Sequence, residues 1–247
     1  MTNDPLKASL SVVMPVFNEE KSLSATLART VASLKALGIH HEIVIVNDAS
    51  RDNTAAVAQA LTREYRQVRL VHHHVNQGIG RAFRTGVESA TLEYVILIPA
   101  DNPPMPEDLA PFIGPMGTFD IIAGVRERRE GYTPLLAFLS YAYNRVFIPL
   151  LFQLNLKDVN WIQAYRRRIF TEGGIVIEHP GIFFFVEVLV KARRLGFTVT
   201  EVPSRMKKRL YGRPTISRFP VVARIFRDAV VFFFSLHFSA KGKVPRP

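Results

Sequence analysis

Three polar pairs each follow a short apolar run: Asn18-Glu19 after Leu10–Phe17, Asn47-Asp48 after Glu42–Val46, and Asp101-Asn102 after Tyr94–Ile98. Carboxylates so placed suit a nucleotide diphosphate that carries a departing sugar. One acid accepts hydrogen bonds from the base. Another holds a divalent cation against the diphosphate, stabilising the negative charge that develops on the leaving nucleotide. Asp48 and Asp101 stand where those two roles would fall. Taken singly, each aspartate also fits a strand-to-helix turn or a helix cap.

Other residues offer less specific chemistry. Asp158 and Glu187 are the candidates for a general base toward a hydroxyl acceptor. Glu187, inside Phe183-Phe-Phe-Val-Glu-Val-Leu189, equally fits a buried acid paired with arginine. The run His72-His73-His74 invites a metal reading, but side chains alternate along a strand, so no more than two can share a face, and the reading is set aside. Gly78 and Gly80 lack the rest of a dinucleotide fingerprint and read as close-packing glycines together with Gly86.

The elements that must position these residues alternate in type. Leu10–Phe17, Glu42–Val46, Val68–Val71 and Tyr94–Ile98 read as buried strands. Leu23, Leu27, Val31, Leu34 and Leu37 recur at helical spacing, and Gly38 supplies a stop. Ser50–Tyr65 and Gly80–Ala90 are the next helices. Such alternation predicts an α/β fold, a Rossmann-like, mostly parallel sheet with helices on both faces and ligands beyond the carboxyl ends of the strands. In the second half, 132–153 reads as an apolar helix interrupted by Asn144, Arg145 and Pro149, 181–195 as an amphipathic helix, and Phe219–Phe238 as an apolar stretch. The longest uncharged part, around Ala229–Leu236, is short of the roughly 20 residues a span requires, so no transmembrane helix is expected.

Composition divides the chain. Its 247 residues hold no cysteine, which excludes disulfides, thiolate metal sites and a cysteine nucleophile. Residues 1–120 hold 10 Lys/Arg against 13 Asp/Glu, and residues 121–247 hold 22 against 8; 14 of the chain's 18 phenylalanines lie beyond residue 130. A basic, aromatic second half suits a polyanion or anionic lipid. An interfacial helix, with phenylalanines at the lipid boundary and arginines at the headgroups, is one reading of 219–238; a helix packed on the core is the other. No nucleic-acid module is visible, and nucleic acid is not expected as a partner. The N-terminus carries no secretory signal pattern, which sets a cytoplasmic prior.

In register, Val13-Met-Pro-Val-Phe-Asn-Glu-Glu20, Ile45-Val-Asn-Asp-Ala-Ser-Arg-Asp-Asn-Thr54, Asn76-Gln-Gly-Ile-Gly-Arg-Ala-Phe-Arg-Thr-Gly86 and Ile98-Pro-Ala-Asp-Asn102 resemble glycosyltransferase family 2. The likeness is closest to polyprenyl-phosphate sugar transferases of the dolichol-phosphate mannosyltransferase type. Gly124-Val-Arg126, Asp158 before Tyr165-Arg-Arg167, Glu187, Glu201-Val-Pro203 and Arg209-Leu-Tyr-Gly212 agree, so the resemblance spans about 10–215. It implies a GT-A type fold, a nucleotide-diphosphate sugar donor, a divalent cation (Mg²⁺ or Mn²⁺) and inversion at the anomeric carbon.

The resemblance also implies roles. Pro15, Phe17 and Glu19 border the nucleoside pocket, Asp48 contacts the base, Asp101 closes the metal motif as the metal ligand, and Asn102 binds substrate. Pro99 and Pro103 stand where two usual ligands would be, and Asn47 replaces a common first aspartate. With a lipid-phosphate acceptor, Arg126 and Arg128 would bind the acceptor phosphate and Arg209 the donor diphosphate, since arginine's fork matches phosphate oxygens in pairs. Asp158 lies on the acceptor side, and Trp161 and Gln163 replace a small Ser-Gly pair and reshape the sugar or acceptor pocket; Glu187 completes the substrate set.

The resulting expectation is a transferase domain over 1–215 and a basic, phenylalanine-rich interfacial helix and tail over 216–247. It would move a hexose, of mannose or glucose type, to a polyprenyl phosphate. The enzyme would be cytoplasmic and peripherally bound to an anionic membrane surface, with a membrane partner protein as a further possibility. The alternatives are the same donor used on a saccharide or other hydroxyl acceptor, and a degenerate protein that binds nucleotide sugar without turnover.

Overall fold

In the computed structural model, residues 9–101, 104–126, 132–204 and 219–238 are described. β1 (Ser9–Val16), α1 (Leu23–Ala36), β2 (His40–Asn47), α2 (Thr54–Glu64), β3 (Val68–His72), α3 (Ile79–Ser89) and β4 (Tyr94–Leu97) follow the expected alternation. Gly38 does end α1: it takes a left-handed φ of 66°, Ile39 N–H donates to Leu34 O, and Gly38 N–H donates to Lys35 O. That pair of bonds satisfies carbonyls the helix end leaves open. α4 (Pro106–Ile113) and β5 (Ile121–Arg126) come next. Then follow α5 (Pro134–Ala142), a π-helical turn (Tyr143–Phe147), α6 (Ile148–Phe152), β6 (Gln163–Arg166), α7 (Arg168–Thr171), α8 (Phe184–Arg194), β7 (Val199–Ser204) and α9 (Phe219–Phe238).

Seven strands form one sheet in the order β3-β2-β1-β4-β6-β5-β7. β1 is parallel to β2 and β4, β2 to β3, and β5 to β7; β6 runs antiparallel to both β4 and β5. The sheet is therefore mostly parallel, as expected. Three strands join the four read from the sequence, and β5 lies between β6 and β7. Four residues, Gln163–Arg166, are too few to show a period. Pro203 also weakened β7, and it is tolerated there because β7 is an edge strand.

Side-chain alternation divides the core into two layers. Leu10, Val12, Met14 and Val16 of β1, with Ile43 and Ile45 of β2, face α1, α2 and α4. Val13, Val44 and Val46 face the other way, toward α3 and α8. On that side, α9 buries Ala229 and places Phe226 against Tyr143 and Phe147, and Phe232 against Phe152 and Phe183. The packed-helix reading describes this face of α9.

The interruption expected within 132–153 is a change of hydrogen-bond register, so the chain stays helical from Pro134 to Phe152. Ile148 N–H donates to Tyr143 O, five residues back, just before Pro149, which cannot donate. The expectation of no span-length segment is also corrected. By length and composition Pro134–Phe152 is long and apolar enough to cross a membrane, with a mean hydropathy of 1.5 and 17% of it buried. Uncharged length was too strict a criterion, because the single Arg145 divides a run whose mean hydropathy remains high.

Gly86 shows how tightly α3 meets the sheet. A Cβ there would lie 2.2 Å from Val13 Cγ1 and 2.7 Å from Cγ2. Gly86→Ala should therefore cost about 1–3 kcal/mol of stability, measured by chemical denaturation. A Val13→Ala change in the same chain makes room for the methyl, so the double variant should lose less than the two single losses combined.

Candidate active site

β6 runs against its neighbours, so its first residue lies at the edge where β1, β2, β4, β5 and β7 end. The order of strands reverses at β1 and β4, which is where open sheets leave a crevice. Phe17, Glu19, Asp48, Asp101, Arg126, Asp158 and Trp161 thus come to one edge from five separate stretches of chain.

The loops after β1 and β2 are laced together. Asn18 N–H donates to Ser50 Oγ at 3.1 Å, Arg51 N–H to Asn18 Oδ1 at 2.8 Å, and Glu19 N–H to Thr54 Oγ1 at 2.7 Å. Glu19 also bonds Ser22 by a short contact. Asn18 and Ala49 hold left-handed φ angles of 57° and 59°. For alanine that conformation is uncommon and costs of order 1 kcal/mol, so the surrounding bonds must impose it. Pro15 is half-buried in β1, while Phe17 leaves 42% of its surface exposed beyond the strand end.

Asp48 is 4% exposed, and its carboxylate is occupied within the protein. Oδ1 accepts from Gln77 N–H at 2.8 Å and from the His73 ring at 2.7 Å; Oδ2 accepts from Gly78 N–H at 2.8 Å. These bonds hold the 76–78 loop onto the end of β2. The loop's far side has no room to retreat, because a Cβ on Gly78 would lie 2.6 Å from Pro180 O, and one on Gly80 would lie 2.1 Å from His179 O. Glu187 secures that opposing segment, accepting from Glu178 N–H at 3.0 Å, His179 N–H at 2.9 Å and Lys191 Nζ at 2.6 Å. At 1% exposure it stands behind the site.

At the ends of β5 and β6, Arg126 meets Asp158 through both prongs, Nε–Oδ2 at 2.5 Å and Nη2–Oδ1 at 2.8 Å, with Nη1 on Tyr132 Oη at 3.2 Å. Its guanidinium lies 5.1 Å from the centre of the Trp161 ring. Burial would lower the pKa of Arg126; the hydrogen bonds and charge of Asp158 outweigh that and raise it above the usual guanidinium range. The π turn supports this cluster: Asn144, which is buried, accepts Val159 N–H at 2.9 Å and donates to Ser140 O at 2.7 Å. Trp161 Nε1–H donates to Ser204 Oγ at 2.9 Å. Gln163 is fully buried, donating to Val159 O and accepting from Tyr165 Oη, so it supports the wall from inside.

Asp101 follows β4 on a loop that α1 fixes by Thr26 Oγ1–H to Ala100 O at 2.5 Å and Ser33 Oγ–H to Pro104 O at 3.0 Å. Among the described residues no group of three or more His, Asp or Glu could hold a metal ion. One carboxylate with prolines at 99 and 103 fits a hard cation only if phosphate oxygens and water complete its shell, an arrangement Mg²⁺ accepts. Asn102, Arg128 and Arg209 lie outside the described residues.

The sequence reading offers none of His73, Thr85, Tyr132 and Asn144 as a site residue: His73 enters it only within the metal reading that was set aside, and Asn144 only as an interruption of the 132–153 helix. Strand alternation carried a usable signal for His73, since it is the member of the histidine run that turns inward while His72 and His74 are exposed. For the Arg126–Asp158 pair, Arg126→Met alone or Asp158→Leu alone should cost about 3–5 kcal/mol, because each leaves a buried charge unpaired. The double variant should recover most of that loss in denaturant titrations.

The comparisons agree with this geometry. The family model described as glycosyl transferase family 2 matches residues 11–180. A dolichyl-phosphate beta-glucosyltransferase, ALG5A, of Trichomonas vaginalis is 30% identical over 220 residues, covering 81% of this chain and 66% of its own length. An undecaprenyl-phosphate 4-deoxy-4-formamido-L-arabinose transferase of Pseudomonas fluorescens is 34% identical over 123 residues, 49% of this chain and 36% of its own. This chain therefore spans only part of each of these relatives. Glucosyl-3-phosphoglycerate synthase from Mycobacterium tuberculosis, solved with Mn²⁺, UDP-glucose and phosphoglyceric acid, superimposes with a TM-score of 0.69 at 19% identity over 95% of this chain and 83% of its own. Its complex with Mg²⁺ and UDP gives 0.67 at 18% identity over 95% and 83%. At that identity the likeness is one of fold, and the fold is the GT-A type that the motifs implied. With its motifs in register and its strand ends gathered at one crevice, the chain belongs to glycosyl transferase family 2.

Proposed function

We propose that this chain is an inverting transferase that moves a hexose from a nucleotide diphosphate to a polyprenyl phosphate. The observation that carries the reading is the state of the two acids available as a base. Asp158 is gripped by Arg126, and Glu187 by two backbone amides and Lys191. A hydroxyl acceptor needs its proton removed during attack. A phosphate acceptor is already anionic, so it needs cations and orientation in place of a base.

In this reaction a phosphate oxygen of the acceptor forms a bond to the anomeric carbon as the bond from that carbon to the β-phosphate oxygen breaks. The electron pair leaves with the nucleotide diphosphate, and the carbon inverts. Pro15, Phe17 and Glu19 would border the nucleoside, with the exposed Phe17 ring available to a base. Asp48 would set the pocket wall through the 76–78 loop. Arg126, Asp158 and Trp161 would form the acceptor wall; Arg128 and Arg209 would meet phosphate oxygens. Asp101 would hold a Mg²⁺ or Mn²⁺ shared with the diphosphate, and such an ion offsets charge on a leaving phosphate when bound.

The lipid acceptor points to an anionic membrane surface, at the cytoplasmic face on this reading. Along 134–152, Leu135, Phe138, Tyr141, Val146 and Leu150 are exposed, and α9 adds Val231 and Phe234. With 22 Lys/Arg against 8 Asp/Glu in the second half, this composition supports an interfacial seat. Residues 1–215 would then carry the chemistry and 216–247 the tail near lipid.

Two experiments test the reading. Purified chain, a panel of nucleotide sugars and short polyprenyl phosphate in detergent should yield one lipid-phosphate sugar, and chelator should abolish it. Transfer only to soluble hydroxyl acceptors, or donor binding without turnover, would overturn it. In flotation assays the chain should bind vesicles containing phosphatidylglycerol more tightly than pure phosphatidylcholine. Leu135→Ser with Phe138→Ser should weaken that binding about tenfold or more without altering donor affinity; unchanged flotation would refute this seat.

A further inference from the structure

His73 bonds Asp48 from behind the open edge and closes a ring of hydrogen bonds. Its Nδ1 lies 2.7 Å from Asp48 Oδ1, and its Nε2 lies 2.9 Å from Thr85 Oγ1. Thr85 is on α3, the helix that begins directly after Gly78, whose amide returns to Asp48 Oδ2. The His73 side chain is 6% exposed and that of Asp48 5%. His73 is itself anchored by its own N–H on Asn47 O at 2.9 Å, and Asn76 Nδ2 donates to Asp48 O at 3.2 Å.

The chemistry of the ring selects a residue with two nitrogens. A carboxylate oxygen only accepts, so Nδ1 must donate to it. Nε2 faces a hydroxyl, which can either donate or accept, so the outer bond forms with the neutral or the charged ring. Asp48 thereby keeps a third partner inside the protein, and the 76–78 loop cannot rise from β2 without breaking one of these bonds. On its other side the loop meets Pro180, with Gly80 N–H donating to Pro180 O at 2.8 Å.

We infer that His73 is a positioning residue of the donor pocket: through Asp48 and Thr85 it fixes the 76–78 loop, and so sets nucleotide affinity without touching the nucleotide. This rests on the donor reading above. It predicts an effect on donor binding that is independent of the acceptor.

The test is calorimetric binding of UDP and of GDP, each with Mg²⁺, to the wild-type full chain and to four variants. Asparagine can place an N–H where Nδ1 stands, and glutamine can place one where Nε2 stands. His73→Ala and His73→Gln should raise the nucleotide Kd about tenfold, the scale of one hydrogen bond to a charged group. His73→Asn should stay within about threefold of wild type, because its bond to Asp48 survives. Thr85→Val, the mildest change, should weaken binding about threefold and serves if the alanine variant fails to fold. The KM for polyprenyl phosphate should not move in any of them. Wild-type affinity in folded alanine or valine variants, or rescue by glutamine but not asparagine, would overturn the inference. If the wild-type chain binds neither nucleotide, the donor reading fails and this inference fails with it.

Discussion

Buried carboxylates must be met by donors, and in this molecule that constraint joins the loops of the site to the sheet. An ionised acid taken out of water loses its solvation and stays charged only where N–H groups replace it. Asp48 collects two loop amides and a histidine, and Glu187 two amides and a lysine. Each acid thereby fixes a segment that has no regular structure of its own. The two segments meet at Gly78 and Gly80, where a Cβ would collide with carbonyl oxygens. Glycine is required there because backbone must approach backbone.

A third buried acid, Asp158, uses a side chain as its partner. Its bidentate pair with Arg126 joins the end of β5 to the loop before β6. A buried ion pair of this kind contributes geometry more dependably than stability, since desolvation offsets much of the attraction. Here the planar guanidinium also lies by Trp161, and the indole N–H reaches Ser204 at the end of β7. Three strand ends are therefore held at one side of the crevice. The π turn adds a fourth support through Asn144, whose amide replaces the missing partner of Val159 N–H.

The second half divides its apolar surface between core and exterior. α9 and α8 bring phenylalanines together over one sheet face, with Phe226 and Phe232 as the contacts of α9. α5 buries none of its nine residues. An apolar helix left so exposed is a surface awaiting a neighbour. The proposed lipid acceptor gives that surface a use beside the acceptor wall, since Tyr132, just before α5, also touches Arg126.

Periodicity along the chain determined the first four strands, their helices and the gathering of acids at strand ends, because these follow from local spacing and from the geometry of parallel sheets. The motif order determined the family. Tertiary structure alone decided that β6 reverses direction, since four residues carry no period, and that reversal brings Asp158 and Trp161 to the edge. It also decided what each acid does. A sequence shows that Asp48, Asp158 and Glu187 exist; which donors surround them depends on residues 25 or more positions away for Asp48 and Asp158, and on the neighbouring 178–179 segment for Glu187. His73 was visible as one of three histidines, but its partner Thr85 lies on another element, and only packing brings them within hydrogen-bond reach.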